Sequence, residues 1–281
     1  MPSNVRERFA ATVRRGTPQT VVPLIVRTRT RRALADPAMM ADAREQMRFL
    51  LERTRPDADI EAHAREYVEL WMRRAELRWR PAMVCSQPVD GIERLRAARD
   101  LGRGVILNFM HHAQYEGAFP SVARSGVPSE VILHPNMLKP DAPEHMKQRV
   151  RVGVRGCHAH GTDIGMSGIS DLVATGKVVT IATDAPGSAE LTFAGRRVKG
   201  SSGAARIAVD RDAPVVVITT RRVDGEPRLQ LSEPLLPDDF AGPEALLAEM
   251  VRQHEEAFLA WPAAADNPLG RWHQVEDAVR D

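Results

Sequence analysis

Apolar residues in the first third of the chain recur at helical spacing. Asp36 and Pro37 supply an N-cap and a first helical residue, and Met40, Ala43, Met47, Leu50 and Leu51 follow on one face. A second stripe, Ile60, Ala64, Tyr67, Val68, Trp71 and Ala75, runs beside a polar face of Glu61, Arg65, Glu69 and Arg73. The two stripes predict a pair of amphipathic helices that serve as a packing layer. From about residue 90 the pattern changes to short apolar runs bounded by Gly or Pro and separated by helical periods, as in an α/β domain. Strands are predicted at 104–109, 131–134, 178–183 and 215–220, with helices about 113–124, 142–152, 167–175 and 203–211. Asp90 and Glu93 have capping-box spacing for a helix ending near Gly102, and Asp224-Gly225 predicts a hairpin turn before a strand at 228–231. A last amphipathic helix carries Leu246, Leu247, Met250, Val251, His254, Phe258 and Trp261, and the tail after Pro262 has no strong period. The predicted fold is α/β, with a mixed, mainly parallel central sheet flanked by helices and an N-terminal helical layer.

No repeat, low-complexity tract or linker divides the chain, so residues 36–281 are expected to form one domain after an N-terminal segment, 1–35, that could rest on a surface. At 281 residues, 43% hydrophobic and 27% charged, the composition is that of a folded globular protein rather than a disordered or polytopic one. A net charge of +2 lacks the one-sided excess of a dedicated nucleic-acid binder, and no nucleic-acid partner is expected. Basic clusters at 27–32 and 196–199 could meet phosphates on a coenzyme, a carrier protein or a lipid head group. The two cysteines, Cys85 and Cys157, imply no disulfide framework. The apolar run 21–26 contains Pro23 and falls far short of the roughly 20 residues of a spanning helix. A cytoplasmic protein is expected, with at most peripheral contact on the inner face of the cell membrane.

The segment most informative about chemistry is GRGVILNFMHHAQYEG, residues 102–117, an apolar strand that delivers His111, His112 and Glu116 to its C-terminal end. Open α/β sheets place their sites there. In a continuous helix two residues five apart would diverge by about 140°. A strand-to-helix bend at His112 and Ala113 would instead let Glu116 reach back to the His111 imidazole and orient it as a general base. By residue type alone, capping the strand end and satisfying backbone groups is the commoner fate of a histidine pair.

In this segment the sequence resembles the bacterial lysophospholipid-acyltransferase-like enzymes, especially the late acyltransferases of lipid A synthesis and the phosphatidylinositol mannoside acyltransferases. GRGVILNFMHHAQYE looks like their apolar strand followed by His-x-x-x-x-Glu or His-x-x-x-x-Asp. VVTIATDAPG, LTFAGRR and GAARIAVDRDAPVVVITTRR follow in the same order as the family's strand-Asp segment, its Phe-x-Gly strand and its helix-then-strand ending in Arg. The resemblance covers roughly 35–262. It implies a glycerolipid-acyltransferase-like fold and direct acyl transfer from acyl-CoA or acyl carrier protein to a hydroxyl or amine of a lipid, glycolipid or small-metabolite acceptor, with no cofactor and no metal. His111 and Glu116 match the catalytic dyad. Arg149, with Arg151 close by, matches an arginine that binds acceptor or oxyanion. Asp184 matches an acid that could bind acceptor hydroxyls or support His111 or Arg149, and Arg196 and Arg197 match a segment near the acceptor site. The chain departs from the family where Arg and Pro interrupt the stretch that often anchors these enzymes in a membrane, and where NPLGRWHQ only partly matches the C-terminal aromatic-basic segment.

Two other classes follow from the residues. His111, His112, Cys157, His158 and His160 could ligate the zinc of a hydrolase, although they lack the His-Glu-x-x-His spacing. A non-catalytic module that binds acyl chains or carrier proteins on the same fold is the other.

Overall fold

A computed structural model describes residues 3–275. The strands are β1 (Val89–Asp90), β2 (Val105–Phe109), β3 (Glu130–Leu133), β4 (His158–Gly161), β5 (Val178–Ala182), β6 (Ala189–Phe193), β7 (Arg196–Gly200), β8 (Val215–Val223), β9 (Glu226–Leu231) and β10 (His273–Gln274). Seven of them form a central sheet in the order β1-β9-β8-β2-β5-β3-β4. Its pairs are parallel except β8 with β9, which the Asp224-Gly225 turn joins as an antiparallel hairpin. Both turn residues have positive φ, 51° and 81°, as a tight two-residue hairpin requires. The expected mixed, mainly parallel sheet flanked by helices is what the chain forms. A second, antiparallel sheet, β10-β7-β6, is an addition to it.

The middle of the sheet is buried on both faces, which is why β2 reads as an unbroken apolar run. Its period-2 alternation still sorts side chains between two cores. Ile106, Val215 and Val217 join the core built with the helices Pro37–Leu51, Ile60–Leu77 and Pro243–Ala260. Val105, Leu107, Phe109, Val216 and Ile218 join the opposite core, with Leu95, Phe119 and Val122.

Helix Pro37–Leu51 begins as the sequence indicates, with the Asp36 carboxylate accepting the Ala38 N–H at 2.9 Å. Asp90, in contrast, does not cap helix Ile92–Asp100. Gly91 occupies the cap position in the left-handed region, and Asp90 is held by Arg221 and Arg228 at 2.9 and 3.0 Å. Pro23, which interrupts the 21–26 run, starts a helix, Val22–Leu34, because proline is tolerated in a first turn. That helix packs Val22 with Leu77, Val84, Cys85 and Val152, and ties Arg29 to Glu76 at 2.9 Å. No described helix is long and apolar enough to cross a membrane. The end of the tail, 276–281, lies outside the described residues.

Candidate active site

The site follows from the register of β2 against β5. Phe109 pairs with Ala182 in the parallel ladder, and the Thr183 N–H donates to the Phe109 carbonyl at 3.1 Å. Two residues further along each strand, His111 therefore stands beside Asp184. The His111 N–H donates to Asp184 Oδ2 at 2.9 Å, and the imidazole Nδ1 lies 2.8 Å from Asp184 Oδ1. This two-point contact fixes the ring against a carboxylate that is 1% exposed, while the His111 side chain keeps 18% of its surface open. The rings of Phe109 and Tyr115 flank the imidazole at 5.2 and 4.6 Å between centroids. Burial alone would raise the Asp184 carboxyl, but His111 and the Arg271 guanidinium outweigh it and hold the group below the usual carboxylate range.

The carboxylate on the imidazole is thus Asp184 rather than Glu116. After His112 the chain passes through Ala113 in the left-handed region, φ 53°, and enters a single 3-10 turn, Tyr115–Gly117. That turn carries Glu116 away from His111 toward the end of helix Ile60–Leu77. There its carboxylate accepts from Arg78 at 3.0 Å, with Arg149 Nε 3.7 Å away. Gly117 permits this approach, since a Cβ there would lie 1.9 Å from the Val84 carbonyl oxygen. The expected helix 113–124 is correspondingly shorter, Ala118–Arg124.

His112 points the other way. Its Nε2 donates to the Trp261 carbonyl at 3.0 Å, and its ring packs on Phe258 at 4.5 Å. Burial pushes its pKa down to about 4, so the ring is neutral near pH 7. Buried nearby, His254 donates to Asn108 Oδ1 at 2.9 Å, and burial pushes it down to about 3.

The C-terminal segment completes the site. Ala264 accepts the Ala113 N–H at 2.8 Å, and the Asp266 N–H donates to the His111 carbonyl at 3.0 Å. This short pairing sets the Asp266 carboxylate against Arg74 and, at 2.6 Å, against Arg271. Arg271 Nε lies 3.8 Å from Asp184. Burial opposes ionisation of Asp266 as well, but Arg74 and Arg271 prevail and hold it well below the carboxylate range.

Other predicted residues go elsewhere. Arg151 reaches the Glu144 carboxylate on its own helix at 3.9 Å. Arg196 lies over the Phe49 ring and bonds the Phe49 carbonyl and Glu52 at 3.0 and 2.8 Å. Arg197 pairs across the β6–β7 hairpin with Glu190 at 2.6 Å. The candidate zinc ligands do not converge. His158 and His160 are paired with Glu130 at 3.3 and 2.6 Å, and Cys157 Sγ lies 3.5 Å from Ser129 Oγ. Among the described residues no group of three or more His, Cys, Asp or Glu is placed to hold a metal ion.

Arg74, Arg78 and Asp266 escaped the sequence reading, and Arg271 entered it only within NPLGRWHQ, without a role. One signal was available: Arg74 and Arg78 continue the apolar face of Tyr67 and Trp71 at helical spacing, and an arginine on such a face needs an acidic partner. Helix Ile60–Leu77 is therefore part of the site as well as a packing layer.

An open groove runs between helices Val22–Leu34 and Ile60–Leu77, with Val22, Val26, Leu70, Leu77 and Trp261 on its apolar walls and Arg27, Arg31, Glu66, Glu69 and Arg73 among its charged ones. It shares Leu70, Arg73 and Trp261 with a narrow crevice, no larger than a water molecule or so, that reaches Ala113 and Gln114.

Among solved structures, the chain is similar to the 1-acyl-sn-glycerophosphate acyltransferase PlsC from Thermotoga maritima, at 12% sequence identity and a TM-score of 0.42, over 69% of this chain and 80% of that one. No protein-family model matches the chain. No curated protein matches it either.

Proposed function

We propose that the chain is an acyltransferase that moves a fatty acyl group from a thioester, acyl-CoA or acyl carrier protein, to a hydroxyl or amine. The observation that carries this reading is the His111–Asp184 pair at the C-terminal end of the central strands. With Nδ1–H donating to a buried carboxylate, Nε2 is left as the basic nitrogen. It takes the proton of the acceptor O–H or N–H as that atom attacks the thioester carbonyl. The tetrahedral intermediate collapses, the C–S bond breaks, and the imidazolium returns the proton to the departing thiolate. The products are an ester or amide and a free thiol.

Arg149, about a quarter exposed beside Glu116, is suited to bind an anionic acceptor or the developing oxyanion. The groove between helices Val22–Leu34 and Ile60–Leu77, with apolar walls at Val22, Val26, Leu70, Leu77 and Trp261, is suited to the acyl chain. The ordered motifs shared with the lysophospholipid-acyltransferase-like enzymes favour the same chemistry. A thiol-release assay across acyl-CoA and acyl carrier protein donors, with hydroxyl and amine acceptors, tests the reading. The parent releases thiol only with acceptor present, and His111→Ala loses about a hundredfold or more. Tight acyl-ligand binding without turnover by the parent would replace the enzyme with a binding module.

A further inference from the structure

The surroundings of Asp184 give Arg271 a part in the chemistry, and the inference rests on the acyl-transfer reading above. We infer that Arg271 is a positioning residue for the base: locked by Asp266, its guanidinium holds the Asp184 carboxylate as an anion clasped on the His111 backbone N–H and imidazole Nδ1, so that Nε2 stays free to accept a proton.

Three observations carry this. Asp184 is buried, and a carboxylate taken out of water ionises only where charge or hydrogen bonds compensate it. Both of its oxygens are committed to His111, Oδ1 to the ring and Oδ2 to the backbone N–H, while Arg271 Nε approaches Oδ2 at 3.8 Å. Among the other groups near Asp184, His112 and His254 are kept neutral by burial, so Arg271 is the permanent cation on this carboxylate.

Arg271 is itself held in place. Its Nε donates to the Asp266 carbonyl at 2.7 Å and its Nη2 to the Asp266 carboxylate at 2.6 Å, and Asp266 is anchored in turn by Arg74. The guanidinium therefore bridges two buried acids and spans from the C-terminal segment to the end of β5, which carries Asp184.

The consequence is a choice of tautomer. An ionised Asp184 can only accept, so the neutral imidazole must carry its proton on Nδ1. A protonated Asp184 could donate to Nδ1 and drive the ring proton to Nε2, where the ring can no longer act as a base toward the acceptor.

Nitrogen NMR of ¹⁵N-histidine-labelled protein reads the His111 tautomer without substrate, with the signal identified by its absence in His111→Ala. The neutral ring is expected as the Nδ1–H form in the parent, as a mixture in Arg271→Gln, and again as the Nδ1–H form in Arg271→Lys, which keeps the charge. In thiol release, Arg271→Gln is expected to lose about tenfold to a hundredfold in kcat with the donor KM within about twofold. An Arg271→Gln protein that folds and retains the parent tautomer overturns the inference, whatever its activity. Should the Gln variant not fold, Arg271→Lys decides it: an Nδ1–H ring supports the role and a mixed ring overturns it. Failure of the acyl-transfer reading would appear separately, as absent turnover in the parent.

Discussion

Two histidines stand side by side after β2, and the walls they face give them opposite chemistries. His111 faces the outer rim, where Asp184 grips it at two points and part of its surface stays open. His112 faces the inner wall of Trp261 and Phe258, where the Trp261 carbonyl accepts a hydrogen bond from Nε2–H and burial keeps the ring neutral. Residue type and strand position are shared; a buried anion and an opening to solvent are not. A base needs a partner that stabilises its protonated form, and only the outer wall supplies one. The inner histidine instead closes the hydrogen bonding of the C-terminal segment that carries Asp266 and Arg271 into the site.

Removing the charge that distinguishes the outer wall is expected to have the largest effect. Asp184→Asn keeps the shape but can turn its NH₂ toward Nδ1, which stabilises the wrong tautomer. Thiol release should fall about a hundredfold or more, and adding His111→Ala should cost little beyond the larger single effect, because the two residues act as one unit. Full activity in a folded Asp184→Asn protein would remove the distinction between the two histidines.

Glu116 sharpens the comparison from the other side, since it is as buried as Asp184 but faces arginines. Glu116→Gln leaves the largely buried Arg78 guanidinium without its anion, and the expected loss is about 3 kcal/mol of stability, read from urea unfolding. Activity per folded molecule should change by less than about tenfold. A hundredfold loss at unchanged stability would return Glu116 to the catalytic pair that the sequence reading assigned it.

Much of the frame was legible because it is written in local periodicity. The strands β2, β5 and β8, the Asp36-capped helix and the Asp224-Gly225 hairpin each depend on residues within a few positions of one another. His111 could be placed for the same reason, at the end of an apolar run. Its partner could not be fixed, because Asp184 lies 73 positions away and meets it through the β2–β5 register, which neither segment encodes alone. The left-handed turn at Ala113 was hidden too, since alanine gives no glycine-like sign of positive φ. Arg271 was the least visible: its segment has no clear period, and its value comes from two acids on separate parts of the chain.

The smallest expected effect concerns the inner wall and is read as proton linkage. His112 and His254 are pushed down to about 4 and about 3 by burial, whereas an unfolded histidine titrates near about 6.5. Between these values the unfolded chain binds protons that the folded chain refuses, so stability is intact above about pH 6.5 and falls as the pH drops toward 4. Two such residues give a slope of roughly 2.7 kcal/mol per pH unit once the unfolded histidines are protonated. His112→Gln can still donate to the Trp261 carbonyl but no longer titrates, so its slope should be shallower than the parent's by about 1.4 kcal/mol per pH unit. Urea unfolding midpoints at several pH values between 4.5 and 7 measure this difference. Equal slopes in the two proteins would mean that His112 already carries a second ring proton in the folded state, and burial against Trp261 and Phe258 would then not keep it neutral.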